Sequence, residues 1–216
     1  MLNQVATEIP FATAETQQCC IPAMRISREK CAMRTFCLLA LLLAAMVAVA
    51  ESPVKVTKQP APDKALIFEV TIPATRDAVW QAFATSEGLS TWLTPNAVVD
   101  LREGGEWTAH YPAGKTGGGT ILSFVAEKEL TLSAMAPERF PTVREQRTTA
   151  KFQFIANGDS TVVKLVQTGW KTGEEWDRAY DYLALGNAQL LETLRRRFVD
   201  GPIDWQKEWG LPTAKK

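Results

Sequence analysis

A single stretch sets what this chain can fold into. Between residues 173 and 198, Trp176, Tyr180, Leu183, Leu190, Leu191 and Leu194 fall near one face of a 3.6-residue period. That is the pattern of one long amphipathic helix, and nothing else in the sequence is as long or as periodic. What precedes it reads mainly as strands. Leu66, Phe68, Val70 and Ile72 alternate with Ile67, Glu69 and Thr71 until Pro73 ends the run. Ala97, Val99 and Leu101 form one face of a second strand, and Trp107, Ala109 and Tyr111 continue it after a turn at Gly104-Gly105. Residues 113 to 119 (AGKTGGG) read as a flexible connection. Thr120 to Ala126 and Leu130 to Met135 read as a hairpin. Thr148 to Ile155 and Thr161 to Thr168 flank Asn157-Gly158, a type I′ turn signal. Two short helices interrupt the strands early. Thr75 caps one carrying Val79, Trp80 and Phe83, and Ser86 caps another carrying Leu89, Trp92 and Leu93 before Pro95.

A sheet with one apolar face needs a cover, and only the long helix is large enough to supply it. The order therefore predicts an α+β domain over residues 65–200. A curved antiparallel sheet wraps around the long C-terminal helix, and the two short helices close one end. Space remains between sheet and helix.

The flanks read differently. Residues 33–50 (MRTFCLLALLLAAMVAVA) place Arg34 before an apolar run from Phe36 to Ala50 that closes on Ala48-Val49-Ala50. A basic start, a short apolar core and a small-x-small end make a signal peptide cleaved after Ala50. The run falls short of the roughly 20 residues that span a bilayer, so no stable membrane span is expected after processing. Residues 1–32 show neither period and read as a non-native extension ahead of a start at Met33. Residues 51–64 (ESPVKVTKQPAPDK) read as a polar linker, and residues 201–216 as an irregular tail. Export to the periplasm or the medium follows from the leader.

Composition excludes several chemistries. Formal net charge is zero, with 24 basic and 24 acidic residues, and no basic cluster interleaves with aromatics, so no nucleic-acid partner is expected. All four cysteines (Cys19, Cys20, Cys31, Cys37) precede residue 38, which leaves the processed chain without thiolate or disulfide. One histidine, His110, and no cysteine leave only carboxylates as metal ligands, so neither metal nor cofactor is expected. Gly114 to Gly119 contains Gly-Lys-Thr, but the phosphate-loop glycine five residues earlier is Ala109, and a strand rather than a helix follows. Glu106 and His110 share a strand face. Trp107, Ala109 and Tyr111 occupy the apolar one, so the pair points to solvent and is no acid–base couple.

Four stretches, IPATRDAVWQAFATSEGLSTWLTP, DLREGGEW, GGGTILSF and LVQTGWKTGEEW leading into the last helix, carry a resemblance. They resemble the START-like superfamily with its helix-grip fold, and within it the family named for the C-terminal domain of the heat-shock-protein ATPase activator. The resemblance spans roughly Ala65 to Phe198. It implies the fold above and a cavity between sheet and helix, but no single reaction. Members often carry Gly-Trp in the last helix where this chain has Gly186-Asn187. Asparagine in place of a large aromatic leaves space, and a buried amide there needs partners.

The expected pocket is apolar with a few polar groups. Its candidate lining residues are Trp92, Trp107, Tyr111, Phe124, Phe154 and Leu183, with Gln167, Tyr180 and Asn187 as polar members. The reading is an exported START-like protein that binds a hydrophobic or amphipathic small molecule without transforming it. Two alternatives stay open. One is a cyclase- or hydratase-type enzyme using Tyr111, Gln167, Tyr180 or Asn187, and the other is a protein-interaction module of the chaperone-accessory kind.

Overall fold

A computed structural model describes residues 52–210. The extension, the leader with its cleavage site, all four cysteines and residues 211–216 lie outside the described residues. The elements run β1 (Val54–Gln59), β2 (Ala65–Ile72), α1 (Arg76–Ala84), α2 (Ser86–Ser90), β3 (Asn96–Val99) and β4 (Glu106–His110). After a 3-10 turn at Pro112–Gly114 come β5 (Thr116–Val125), β6 (Glu129–Met135), α3 (Pro141–Gln146), β7 (Thr148–Asn157) and β8 (Ser160–Thr168). The long helix α4 (Glu174–Asp200) and a final turn of helix, α5 (Trp205–Glu208), complete the chain. The strands form one antiparallel sheet in the order β1-β2-β8-β7-β6-β5-β4-β3, with α4 against one face. This is the helix-grip α+β arrangement.

Alternation places the core as the sequence predicts. Leu66, Phe68, Val70 and Ile72 of β2 are buried, as are Thr161, Val163, Leu165 and Gln167 of β8 and Thr148, Ala150, Phe152 and Phe154 of β7. Helix α1 starts where Thr75 Oγ1 accepts the Ala78 amide at 3.4 Å, and it drives Phe83 into the sheet's inner face. Phe83 meets Trp92, Phe152 and Phe154 at ring separations of 4.9, 5.1 and 5.0 Å, within the range that favours tilted and edge contacts. The Trp92 and Trp107 indoles donate to the Ala82 and Phe83 carbonyls at 2.8 and 2.9 Å, so the end of α1 bonds to both tryptophans.

Five details differ from the sequence reading. Residues 51–64 are not a linker throughout, because Val54–Gln59 pairs with β2 from Val54↔Val70 to Gln59↔Ala65. The segment reads as polar because it is an edge strand with Val54 alone buried, and its exposed Lys55 and Lys58 guard the open edge. The glycine run after Gly114 is strand, not a flexible connection. The cap of α2 is Thr85, whose Oγ1 accepts from Gly88 N at 2.9 Å, while Ser86 Oγ accepts from Val99 N and ties α2 to β3. In the β7–β8 hairpin Asn157 pairs with Ser160, and Gly158 (φ 60°) has positive φ while Asp159 does not. That is the II′ pattern rather than I′. The tail is irregular only in part, since α5 is helical from Trp205 to Glu208.

Helix α3 has no counterpart in the sequence reading. It packs Val143 and Phe140 against Trp176 and Ala179 of α4, and Glu175 caps it by accepting from Val143 N at 3.1 Å and Thr142 Oγ1 at 2.8 Å.

Candidate functional site

The site lies between strands β4 to β8 of the sheet and the middle of α4. Period-two alternation in β4 puts Trp107 and Ala109 inward and Glu106 and His110 outward, and Tyr111 follows on the inner side. Opposite, Leu183, Asn187 and Leu190 recur at helical spacing on the α4 face toward the sheet. Between these walls an inner chamber of about 90 Å³ lies beside an outer cleft of about 760 Å³. Tyr111, Gly118, Met135, Leu183, Asn187 and Leu190 line both, so the two spaces adjoin.

The glycine run shapes one wall. Gly118 has φ 103°, and a Cβ there would stand 2.1 Å from the Trp107 carbonyl oxygen. A Cβ on Gly119 would stand 2.2 Å from the Ser133 carbonyl oxygen. Only glycine lets β4, β5 and β6 approach this closely. Gly117 faces the Tyr111 ring, whose Cε2 would lie 3.3 Å from an added Cβ. The ring lies over the bare strand and forms part of the cleft wall. On the opposite side, Gly186 lines the cleft in mid-helix, and a Cβ there would meet nothing within 4 Å.

Polar groups converge on the inner chamber. Asn187 Nδ2 donates to Gln167 Oε1 at 2.7 Å, and Gln167 Nε2 donates to Thr148 Oγ1 at 2.8 Å. Gln167 and Thr148 are both 4 % exposed, and the relay satisfies two amides that burial would otherwise penalise. Asn187 retains Oδ1 and a second N–H for whatever enters. Tyr111 is the one phenol at this depth. Burial pushes its hydroxyl above the ordinary tyrosine value, so it stays protonated at neutral pH and can donate. Lys115, Glu138 and Arg139 stand at the cleft's exposed rim.

The sequence-predicted residues divide between this site and the core. Trp107, Tyr111, Gln167, Leu183 and Asn187 come together at the chamber. Trp92 is fully buried against Phe83 and lines neither space, since α2 turns it toward α1. Phe124 stacks on Trp80 at 6.4 Å, and Phe154 meets the same indole edge-on at 5.5 Å. Both belong to the core end closed by α1. The Tyr180 hydroxyl donates to the Ala65 and Gln59 carbonyls at 2.9 and 3.1 Å, and Lys64 Nζ sits 4.6 Å from its ring centroid. That tyrosine fastens α4 to the β1–β2 connection instead of entering the pocket. Sequence reasoning missed Leu93, Met135, Leu165 and Leu190 as lining residues, together with the rim and Gly186. Alternation already marked Phe152 and Leu165 as inward-facing. Which inward residues border a void depends on register and on where α4 crosses. Among the described residues no group of three or more His, Cys, Asp and Glu is placed to hold a metal, and no helix is long and apolar enough to cross a membrane.

Residues 73–198 match the family described as Activator of Hsp90 ATPase homolog 1-like protein. No curated protein sequence matches the chain. Among solved structures, protein MLL2253 from Mesorhizobium loti is 17% identical with a TM-score of 0.54, covering 64% of this chain and 99% of its own. The Aha1 dimer from Colwellia psychrerythraea is 17% identical with a TM-score of 0.52, covering 63% and 97%. CalU16 from Micromonospora echinospora is 20% identical with a TM-score of 0.50, covering 76% and 98%. At these identities the likeness is one of fold.

Proposed function

The chain belongs to the family of Activator of Hsp90 ATPase homolog 1-like proteins, and we propose that this member binds a hydrophobic or amphipathic small molecule between its sheet and α4 without transforming it. The observation that carries the reading is the adjoining chamber and cleft with their shared walls, apolar along Trp107, Leu183 and Leu190 and polar at Tyr111 and Asn187. An outer volume of about 760 Å³ falls within the few hundred to a thousand Å³ typical of small-molecule sites. Gly186 supports it too. A mid-helix glycine costs roughly 0.5–1 kcal/mol against alanine, and nothing packed against Gly186 requires it. The open space beside it is wide enough that an alanine Cβ would not intrude, while a large side chain would.

Binding is favoured over turnover by the lining groups. Catalytic proton transfer works best with a group that titrates near the working pH. The chamber offers two amides, which do not titrate, and a phenol held protonated. We also propose export, resting on the Arg34, apolar-run and Ala48-Val49-Ala50 sequence. N-terminal sequencing of the protein from its native host is expected to find Glu51, and a retained Met1 or Met33 would reject cleavage.

The binding reading is tested with a neutral fluorescent probe, N-phenyl-1-naphthylamine, on the full chain. Saturable binding is expected, with Gly186→Ala binding normally and Gly186→Trp blocking the cleft. Gly186→Ala should fold at least as stably as the parent, since its Cβ meets no neighbour, and the thermal melt of Gly186→Trp is checked beside it so that lost binding is read on a folded variant. Absence of saturable binding, or binding unaffected by Gly186→Trp, would reject the pocket.

A further inference from the structure

The rim carries more information than the walls. Lys115 and Arg139 line the outer cleft and are exposed, and among the described residues neither is ion-paired. Arg139 is nonetheless held. Its guanidinium lies 5.0 Å from the Tyr182 ring centroid and 5.4 Å from that of Phe140, and Tyr182 itself lines the cleft. Cation–π contact with two rings restricts a guanidinium while leaving N–H groups available to an anion. Glu138 is the one acid on the same rim, so the rim is cationic by one charge.

The inner end sets the shape. A chamber of about 90 Å³ is smaller than the roughly 150 Å³ cavity that accommodates a benzene ring. It takes the end of a chain or a small substituent, not a ring system. The wide part of the space lies outward, toward the rim.

We propose that the ligand is a single-chain anionic amphiphile. Its narrow apolar end enters the chamber past Leu183 and Leu190, and its carboxylate or equivalent anion meets Arg139 and Lys115 at the rim. This rests on the binding reading above and adds to it the ligand's charge, its taper and the direction in which it enters. Charge-assisted pairing at a partly exposed site is modest, so the anion sets preference and orientation while apolar burial supplies most of the affinity.

The test is displacement of N-phenyl-1-naphthylamine from the full chain at physiological ionic strength. Dodecanoate, dodecanol and dodecyltrimethylammonium are compared below their aggregation concentrations. Dodecanoate is expected to displace the probe at about fivefold lower concentration than dodecanol, with the ammonium weakest. In the Lys115→Gln/Arg139→Gln double variant the preference for dodecanoate over dodecanol collapses toward unity. Glu138→Gln widens it. Arg102→Gln, whose guanidinium pairs with Asp100 and lies outside the cleft, leaves the preference intact and controls for general positive charge. Dodecanol matching or surpassing dodecanoate, or a preference surviving the double variant, would overturn the proposal while probe binding still stood. If the probe never binds, or Gly186→Trp fails to exclude it, the binding reading falls and takes this proposal with it.

Discussion

Asn187 shows why a pocket residue is defined by its partner. From the sequence it is a small amide at a position where the family resemblance implies a large aromatic. In the structure its Nδ2 is the donor that satisfies Gln167 Oε1 at 2.7 Å. Replacement by tryptophan would fill space but also orphan a buried carbonyl oxygen, so it does not isolate the cavity. Gly186, one residue earlier and free of neighbours, does. Asn187→Leu is expected to cost about 1–3 kcal/mol in urea denaturation, because Gln167 Oε1 is left buried without a donor. Gln167→Leu/Asn187→Leu should cost less than the two single changes summed, since the Oε1 orphan disappears with Gln167, while Thr148 Oγ1 loses its donor equally in the Gln167 single and the double variant. Additive losses would mean that the two amides act independently.

At the scale of elements, the closures at the two ends of α4 are what frame the site. Near its start, Tyr180 bonds the Gln59 and Ala65 carbonyls, while Lys58–Asp181 and Lys64–Asp177 pairs span the same junction at 2.8 and 2.6 Å. These contacts give β1 a function as a covering edge strand rather than a tether. Near its end the chain turns back. Ile203 N donates to Thr91 O, Trp205 Nε1 to Ser90 O and Arg197 Nε to Thr91 Oγ1 at 2.9, 2.8 and 3.1 Å, and Arg196 pairs with Glu208 at 2.8 Å. The tail thus holds α2 against α4, and α2 leads directly to Leu93 in the chamber wall. Trp205→Ala is expected to lower Tm by about 2–6 °C. Amide exchange should accelerate at Leu89, Trp92 and Leu93 while remaining slow in the middle of α4. Acceleration spread evenly over the domain would mean that the tail stabilises the fold without positioning that wall.

For the whole molecule, the two buried phenols make an alkaline signature. Burial raises both Tyr111 and Tyr180; for Tyr180 the Asp181 carboxylate adds to the rise and Lys58 opposes it. Unfolded tyrosine titrates near pH 10. Above that value the unfolded chain sheds protons that the folded chain still holds, so stability falls as pH rises until the folded phenols also ionise. Their contribution is fully present below pH 10 and lost above it. Tyr111→Phe should flatten this alkaline decline with little change near neutrality. Tyr180→Phe should flatten it and also lower neutral stability, because the one hydroxyl proton shared between the Ala65 and Gln59 carbonyls is lost. Denaturation midpoints from pH 7 to 11 check both, and an unchanged slope in either variant would mean that phenol does not contribute.

The sequence by itself determined the architecture. A 26-residue apolar stripe can be satisfied only by a sheet, and alternation in β2, β4, β7 and β8 fixes which side of each strand that sheet turns inward. These are short-range properties, written in periods of 3.6 and 2. It also marked Trp107, Tyr111, Gln167, Leu183 and Asn187, since each lies on an inward face. Trp92, Phe124, Phe154 and Tyr180 lie inward too, and there periodicity stops discriminating. A core aromatic and a cavity aromatic have the same pattern and differ only in what stands opposite: Phe83 for Trp92, Trp80 for Phe124 and Phe154, two carbonyls for Tyr180. The glycine run misled for a related reason. Three glycines read locally as slack, yet the Trp107 and Ser133 carbonyls, remote in sequence, leave no room for a Cβ. Only the tertiary structure decided these points, because a void is a property of surfaces brought together across the fold and no local period encodes the distance between them.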